Sequence, residues 1–233
     1  MIVDVWYALT EDPIDAPAIL ALLDPDERAR HDAFRFERNR REYLATRGLE
    51  RAVLARLSGR APASLRLRRT DLGRPVLDDG GELRYSLTNT LRLVACVAAE
   101  GREVGLDAEP LERAPEVVSV ADRVFTVAER ATLATLVEKE RRALELWTAK
   151  EAYLKARGLG FALPPEQLEL DVRGQPRDIR VSPDHDARPT RWQLASFELA
   201  GHVVTVCIET AEITDIAVHR VDLNVPCREG ESR

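Results

Sequence analysis

The chain has 233 residues with a formal net charge of −6; 45% of the residues are hydrophobic and 32% are charged, which is ordinary for a globular protein of one large domain or two small ones. No apolar run approaches the roughly 18 residues of a membrane span, and the first residues carry no export signal, so we expect a cytoplasmic protein with no membrane partner. Three widely spaced cysteines and four scattered histidines exclude a disulfide scaffold and a zinc enzyme.

The N-terminal half predicts a strand, then helices, then antiparallel strands. Residues 2–8 alternate as a strand does, and Asp24 followed by Pro25 is typical of a helix start with Asp24 as the N-cap. Helical periodicity covers residues 36–57 and ends at Gly59. Strands are predicted at residues 65–69, 83–88 and 91–99, the last two joined in a hairpin at Asn89-Thr90.

The C-terminal half repeats this order. It predicts a strand at residues 104–108, a loop at 110–115, helices over 116–157 with a break near 138–141, and strands at 168–172, 179–181, 192–198, 203–209 and 213–221. We therefore predict an α+β protein of two similar lobes, each an antiparallel sheet packed with helices. The lobes comprise residues 1–102 and 103–222, followed by a frayed tail at 223–233, and a ligand site is expected between them.

The charge is distributed unevenly. Thirteen arginines and four acidic residues lie between Arg28 and Arg69, so this stretch carries a local charge of +9. Solvated helix faces with ion pairs one turn apart account for most of these arginines. A few that face one pocket could still bind a polyanionic ligand.

Two acidic residues lie on one face at the end of the predicted strand at 104–108. Asp107 and Glu109 are two positions apart, so their side chains project to the same side, with Cα atoms roughly 7 Å apart. Both carboxylates can bind one hard cation, and Gly105 leaves room for close approach. Taken alone, the favoured interpretation is two exposed acids on an edge strand.

A second segment places Trp147, Glu151 and Lys155 along one helix face at intervals of four residues. An ordinary surface ion pair is the alternative interpretation. However, the chain has 31 arginines and only three lysines, and Lys150 and Lys155 both lie here, where a compact ammonium could approach a phosphate. Together with the acidic pair, this segment has the groups needed to hold Mg²⁺ against a phosphorylated substrate.

These motifs resemble the 4'-phosphopantetheinyl transferases of the surfactin-synthetase-activating type. The resemblance covers roughly residues 20 to 170 and is carried by Asp24-Pro-Asp-Glu-Arg, Ala45-Thr-Arg47, Gly73-Arg74-Pro75, Tyr85-Ser-Leu-Thr88-Asn89-Thr90, Gly105-Leu-Asp107-Ala-Glu109, Phe125-Thr-Val-Ala-Glu129, Trp147-Thr-Ala-Lys150-Glu151-Ala-Tyr-Leu-Lys155 and Gly158-Leu-Gly160.

The resemblance implies a two-lobed, pseudo-symmetric monomer that binds coenzyme A in the cleft between its lobes. The implied Mg²⁺ ligands are Asp107, Glu109 and Glu151, and Lys155 lies against the pyrophosphate of coenzyme A. The implied contacts to the 3'-phosphate and adenine end are Arg30, Arg47 and Arg74, joined in the hairpin by Thr88 and Asn89.

One hairpin residue departs from the family. Asn89 stands where the family usually has histidine, and an asparagine can donate a hydrogen bond to a phosphate but cannot carry a positive charge. Affinity for coenzyme A would then depend more on the arginines.

The implied reaction transfers phosphopantetheine from coenzyme A to a serine of an apo acyl or peptidyl carrier protein and releases adenosine 3',5'-bisphosphate. Such transfer depends on positioning and charge neutralisation, with Mg²⁺ and Lys155 as the positive charges. Glu151 is the candidate to take the serine proton, directly or through a metal-bound water.

Two other functions use the same residues. A Mg²⁺-dependent phosphohydrolase would activate water with the same acids. A nucleic-acid-binding module would use the arginine-rich helices, but it would need a basic face without interleaved acids and would leave the acidic motifs without a purpose. We therefore expect no nucleic-acid partner.

Overall fold

The computed structural model describes residues 2–78, 81–171, 179–181, 192–210 and 215–224. The predicted tail lies almost wholly outside these residues, as do Cys227 and His185. Within the described ranges no helix is both long and apolar enough to cross a membrane.

Helices pack against largely antiparallel sheets, which confirms the predicted α+β class. The elements of the first half are β1 (Val3–Leu9), α1 (Ala16–Leu22), α2 (Pro25–Ala33), α3 (Glu37–Ser58), β2 (Leu67–Arg69), β3 (Pro75–Leu77), β4 (Leu83–Thr90) and β5 (Leu93–Glu100). Those of the second half are β6 (Val104–Pro110), α4 (Ala114–Ser119), α5 (Ala121–Val124), α6 (Val127–Leu133), α7 (Lys139–Arg157), β7 (Leu168–Leu170), β8 (Ile179–Val181), β9 (Trp192–Leu199), β10 (His202–Glu209) and β11 (Ile216–Arg220).

The helix ends follow the local sequence signals. Asp24 caps α2 through a capping box, in which its side chain accepts from Glu27 N and the Glu27 side chain accepts from Asp24 N. Gly59 and Gly158 end α3 and α7 in the left-handed conformation, with φ of 68° and 63°. The predicted bounds of the two long helices are therefore confirmed to within a few residues.

The hairpin between β4 and β5 turns later than predicted. Asn89 and Thr90 belong to β4 and pair with Val94 and Leu93, so the turn is made by Leu91 and Arg92. Arg92 adopts a positive φ of 67° there. The prediction of a turn at Asn89-Thr90 is wrong, because the strand pairing of these two residues outweighs their local preference for a turn.

The four strands of the first sheet are ordered β11-β1-β5-β4, and β11 pairs with β1 in parallel. The prediction that the strand at residues 213–221 belongs to the second lobe is wrong. Its residues instead complete the edge of the N-terminal sheet, with Val218 opposite Val5. Hydrophobic periodicity predicts a strand but not its partner, which is why the sequence did not show this return.

The second sheet has the order β6-β10-β9, and α7 packs across it on β6 and β10. The two sheets face each other through an apolar layer that includes Val5, Leu93 and Val97 from the first sheet and Leu106 and Val206 from the second. The lobes are thus joined by a shared core, and β4 also packs directly against β6.

Candidate active site

A cleft of about 380 Å³ lies where β4 passes β6 and the C-terminal turns of α7. Both lobes contribute to its walls. The polar residues that line it are Thr46, Arg47, Arg69, Arg74, Tyr85, Ser86, Thr88, Asn89 and Thr90 from the first lobe, and Asp107, Glu109, Arg113 and Lys155 from the second.

Close packing of β6 on α7 builds the acidic side of the cleft. An added Cβ on Gly105 would lie 1.9 Å from the carbonyl oxygen of Ala152 and 2.5 Å from the amide nitrogen of Ala156. No side chain fits in this gap, so glycine allows the strand and helix backbones to touch. The acids two and four positions after Gly105 are thereby held against the turn of α7 that carries Glu151 and Lys155.

Asp107 occupies the centre of this contact and is buried. Its Oδ1 accepts from Lys155 Nζ at 2.7 Å and from Thr88 Oγ1 at 3.4 Å, so it is bound by both lobes. Its Oδ2 is also buried and has no hydrogen-bond partner among the described residues. A buried carboxylate oxygen without a partner is costly, so this atom is a candidate position for binding a cation or a hydrogen-bond donor.

Glu109 lies at the outer end of β6. Both of its oxygens accept from Arg113 Nη1, at 2.9 and 2.8 Å, and Oε1 also lies 3.4 Å from Trp147 Nε1. Burial raises the pKa of Glu109, and the charge of Asp107 raises it further, whereas Arg113 and Trp147 lower it. The carboxylate is thus held by a cation of its own chain.

Glu151 lies on α7, one turn before Lys155, and is half-buried. Burial and the charge of Asp107 raise its pKa to about 7, with a further contribution from Glu109 and an opposing one from Lys155. A carboxyl group with such a pKa can accept and release a proton near neutral pH.

The three acids predicted to bind metal repel one another electrostatically. In this structure their carboxylates do not converge on one point. Within the described residues no three potential ligands converge closely enough to hold an ion as they stand. The donor set nevertheless fits a hard cation: three carboxylates, a mutual repulsion that raises two of their pKa values, and the unpartnered Oδ2 of Asp107. The metal assignment therefore stays a proposal.

The two neighbouring lysines have different roles. Lys155 is one-third exposed and reaches the cleft, where its Nζ contacts Asp107 Oδ1 and donates to the carbonyl of Leu106 at 3.0 Å. Lys150 is fully buried on the opposite side of α7 and donates to Glu129 at 2.6 Å and to the carbonyls of Val124 and Pro165. The two lysines therefore occupy two different sites. Lys155 borders the cleft, whereas Lys150 forms a buried ion pair with Glu129.

The structure separates the three arginines predicted to bind the far end of coenzyme A. Arg47 and Arg74 line the cleft, whereas Arg30 is exposed on α2 and is not part of its wall. Arg47 Nη1 lies 2.5 Å from Glu50, and Arg74 pairs with Glu103 and donates to the carbonyl of Ala156. Both guanidinium groups already have carboxylate partners.

The hairpin residues point in opposite directions, as alternation along β4 requires. Thr88 is buried and contacts Asp107, whereas Asn89 is exposed and donates from Nδ2 to Glu42 Oε1 at 2.8 Å. Both residues line the cleft.

Sequence reasoning missed three residues at this site. Arg69 lines the cleft, and no carboxylate pairs with it among the described residues; its Nη1 donates to the carbonyl of Gly73. Arg113 lines the cleft and holds Glu109, and Glu50 lies behind the wall against Arg47. Arg113 lies four residues after Glu109, a spacing that could have suggested the pair, whereas the surroundings of Arg69 and Glu50 depend on tertiary contacts.

Comparison with protein-family models finds matches over most of the chain. The model described as "4'-phosphopantetheinyl transferase superfamily" matches residues 103–207. The model described as "4'-phosphopantetheinyl transferase, N-terminal" matches residues 11–106. The boundary between these matches falls at the start of β6.

Individual proteins are also similar. The 4'-phosphopantetheinyl transferase HetI of Nostoc sp. is 31% identical over 182 residues, covering 73% of this chain and 76% of that protein. The 4'-phosphopantetheinyl transferase Sfp of Bacillus subtilis is 22% identical, covering 81% and 83%. A holo-(acyl-carrier-protein) synthase from Bacillus anthracis, solved in complex with CoA, has a TM-score of 0.38 and 23% identity, covering 46% and 93%.

Proposed function

The chain belongs to the 4'-phosphopantetheinyl transferase superfamily, and from this membership we propose the reaction that its cleft carries out. The phosphopantetheine group of coenzyme A is transferred to a serine hydroxyl of an apo acyl or peptidyl carrier protein. The hydroxyl oxygen bonds to the β-phosphorus, the bond from that phosphorus to the bridging oxygen breaks, and adenosine 3',5'-bisphosphate leaves.

The observation that carries the proposal is the contact between Asp107 and Lys155 in a cleft shared by both lobes. A carboxylate with one unpartnered oxygen and an ammonium 2.7 Å from its other oxygen present one metal-binding atom and one phosphate-binding charge side by side. A pyrophosphate needs both kinds of group.

We propose that Asp107, Glu109 and Glu151 would hold Mg²⁺. When bound, the ion would neutralise charge on the pyrophosphate oxygens. To bind it, Glu109 would turn from Arg113 and Asp107 would use its unpartnered Oδ2. The fit rests on the carboxylate donor set and on that buried oxygen.

Lys155 stabilises the charge that develops on the leaving phosphate, because its Nζ lies at the cleft and keeps one N–H after its contacts to Asp107 and Leu106. Glu151 takes the proton of the serine hydroxyl, since a pKa of about 7 leaves a large part of it ionised and able to accept at neutral pH. As a metal ligand it would be ionised throughout, so the two roles of Glu151 compete.

The adenine and 3'-phosphate end of coenzyme A is proposed to lie along the first-lobe wall. Arg47, Arg74, Thr88 and Asn89 line this wall, and Arg69 adds a charge that no described carboxylate offsets. Arg30 is exposed on α2 and does not line this wall, so the proposal does not depend on it.

The test is mass spectrometry of several purified apo-carrier proteins after incubation with coenzyme A and Mg²⁺. A mass gain of one phosphopantetheine on any of them supports the transferase. Release of adenosine bisphosphate without a carrier protein would instead support a phosphohydrolase, and steep salt-dependent binding of duplex DNA would support a nucleic-acid module. The expected monomeric state and cytoplasmic location stay predictions.

A further inference from the structure

A group of buried charges lies behind the first-lobe wall of the cleft. It comprises Arg47, Glu50 and Arg51 of α3, Glu27 of α2 and Tyr85 of β4. Arg47 and Tyr85 line the cleft, whereas the others lie behind them. Two acids and two arginines make the group neutral as a whole.

Glu50 is the main partner of Arg47 in this group. Glu27 is engaged by Arg51, with contacts of 2.6 and 3.2 Å, and lies 3.5 Å from Arg47 Nη1. Glu50 Oε2 lies 2.5 Å from the same nitrogen. At this distance in a buried setting, Glu50 offsets most of the guanidinium charge.

The Glu50 side chain is fully buried, and its other oxygen accepts from the Tyr85 hydroxyl at 2.9 Å. Burial raises the pKa of Glu50, and the charge of Arg47 and the hydrogen bond from Tyr85 oppose that rise. Tyr85 donates to one carboxyl oxygen, and the other forms an ion pair with Arg47 without a hydrogen bond among the described residues. These two contacts favour the ionised carboxylate and link two residues of the cleft wall.

We propose that Glu50 is a positioning residue that sets the specificity of the cleft: it fixes and neutralises Arg47 and so limits how strongly the cleft selects ligands by their number of phosphate groups. The proposal rests on coenzyme A being the ligand. Selection for the 3'-phosphate then comes mainly from charges without such a partner, such as Arg69.

The experiment measures the dissociation constants of coenzyme A and dephospho-coenzyme A by calorimetry, at constant Mg²⁺ and without carrier protein. The readout is the ratio of the two constants, which a general loss of folding does not change. Glu50→Gln keeps the side-chain shape and removes the charge, so we expect the preference for coenzyme A to rise by at least about fivefold. Arg47→Gln leaves the negative charge of Glu50 without its cation behind the cleft wall. That charge repels phosphate groups, so the preference for coenzyme A should fall by a similar factor.

The double variant Glu50→Gln/Arg47→Gln is decisive, because it removes both charges and leaves the net charge unchanged. We expect its preference to return to within about twofold of the wild type. If Glu50→Gln fails to fold, the double variant can still be measured. Removing both partners of a buried ion pair is better tolerated than removing one partner.

Glu129→Gln is the matched control, because Glu129 is an equally buried, ion-paired carboxylate away from the cleft, and it should leave the preference unchanged. A double variant that loses the preference as far as Arg47→Gln would show that Arg47 binds the phosphate directly and would overturn the proposal, as would an unchanged preference in Glu50→Gln. Failure of the wild type to bind coenzyme A would refute the proposed function instead.

Discussion

Gly105 and Ala152 stand so close that a methyl group on the glycine would lie 1.9 Å from the carbonyl oxygen of the alanine. The obstacle is helix backbone, which has no rotamer to change. The spacing between β6 and α7, and hence the distance between the acids of the strand and Glu151 and Lys155 of the helix, is therefore set by the absence of one side chain.

We predict that Gly105→Ala moves α7 off β6 and lowers transfer activity by more than about tenfold, with a stability loss of about 1–3 kcal/mol or more. Denaturant unfolding and steady-state kinetics measure the two effects. Gly48→Ala is the control, because there the added carbon meets the movable end of Ile19 at 2.9 Å, and activity should persist. Normal kinetics in Gly105→Ala would show that the spacing does not matter.

Lys155→Arg tests whether the ammonium itself is needed. The guanidinium is planar and larger, and it should not fit beside both Asp107 and a pyrophosphate. We expect a normal fold with at least about a tenfold loss in kcat/KM, equivalent to about 1.4 kcal/mol. Lys139→Arg, exposed at the start of α7, should change nothing. Wild-type kinetics in Lys155→Arg would reduce this lysine to a surface ion pair.

Lys150→Met should give the opposite result, a folding defect. It removes the ammonium that joins Glu129 to the carbonyls of Val124 and Pro165, and it leaves a buried carboxylate without its cation. We expect the free energy of unfolding to fall by about 3–5 kcal/mol, measured in urea. The double variant Lys150→Met/Glu129→Leu should recover much of this loss. A stable Lys150→Met with low activity would instead assign Lys150 to the reaction.

Asp107→Asn, Glu109→Gln and Glu151→Gln should each weaken metal binding and nearly abolish transfer while the fold is kept. A neutral amide of the same shape removes charge that a hard cation requires. Calorimetric titration with Mg²⁺ separates this effect from the catalytic one. Near-normal turnover of Asp107→Asn under limiting Mg²⁺ would remove the metal assignment.

Asn89→His should strengthen coenzyme A binding a few-fold at slightly acid pH. Asn89 donates to Glu42 at the cleft edge, and that carboxylate would favour the protonated, positively charged form of an imidazole placed there. Dissociation constants measured between pH 6 and 8 should show the gain fading as pH rises. The same gain in Asn89→Gln would attribute it to shape.

Which acids and lysines share one face could be predicted, because their spacing follows short-range periodicity. Positions two apart on a strand and four apart on a helix share a face, so the sequence alone pairs Asp107 with Glu109 and Glu151 with Lys155. That the two faces meet depends on Gly105, whose packing partner is 47 positions away in α7.

The arginines could not be assigned in this way. The sequence shows how many positive charges a segment has but not which carboxylates neutralise them, and Arg47 and Arg74 are paired with Glu50 and Glu103. The hairpin turn was misplaced because residues with a local preference for turns are used in β4 for pairing. The carboxylate partners of the arginines depend on tertiary contacts and the position of the turn depends on strand pairing, and periodicity reports neither.

The parallel pairing of β11 with β1 has a consequence for synthesis. The N-terminal sheet keeps an open edge along β1 until Ile216–Arg220 has left the ribosome, after almost all the rest of the described chain. Exposed strand edges invite pairing with other chains, so the nascent protein carries this hazard for most of its translation. β1 thus gains its second neighbouring strand late in synthesis, and we expect the two lobes to fold together.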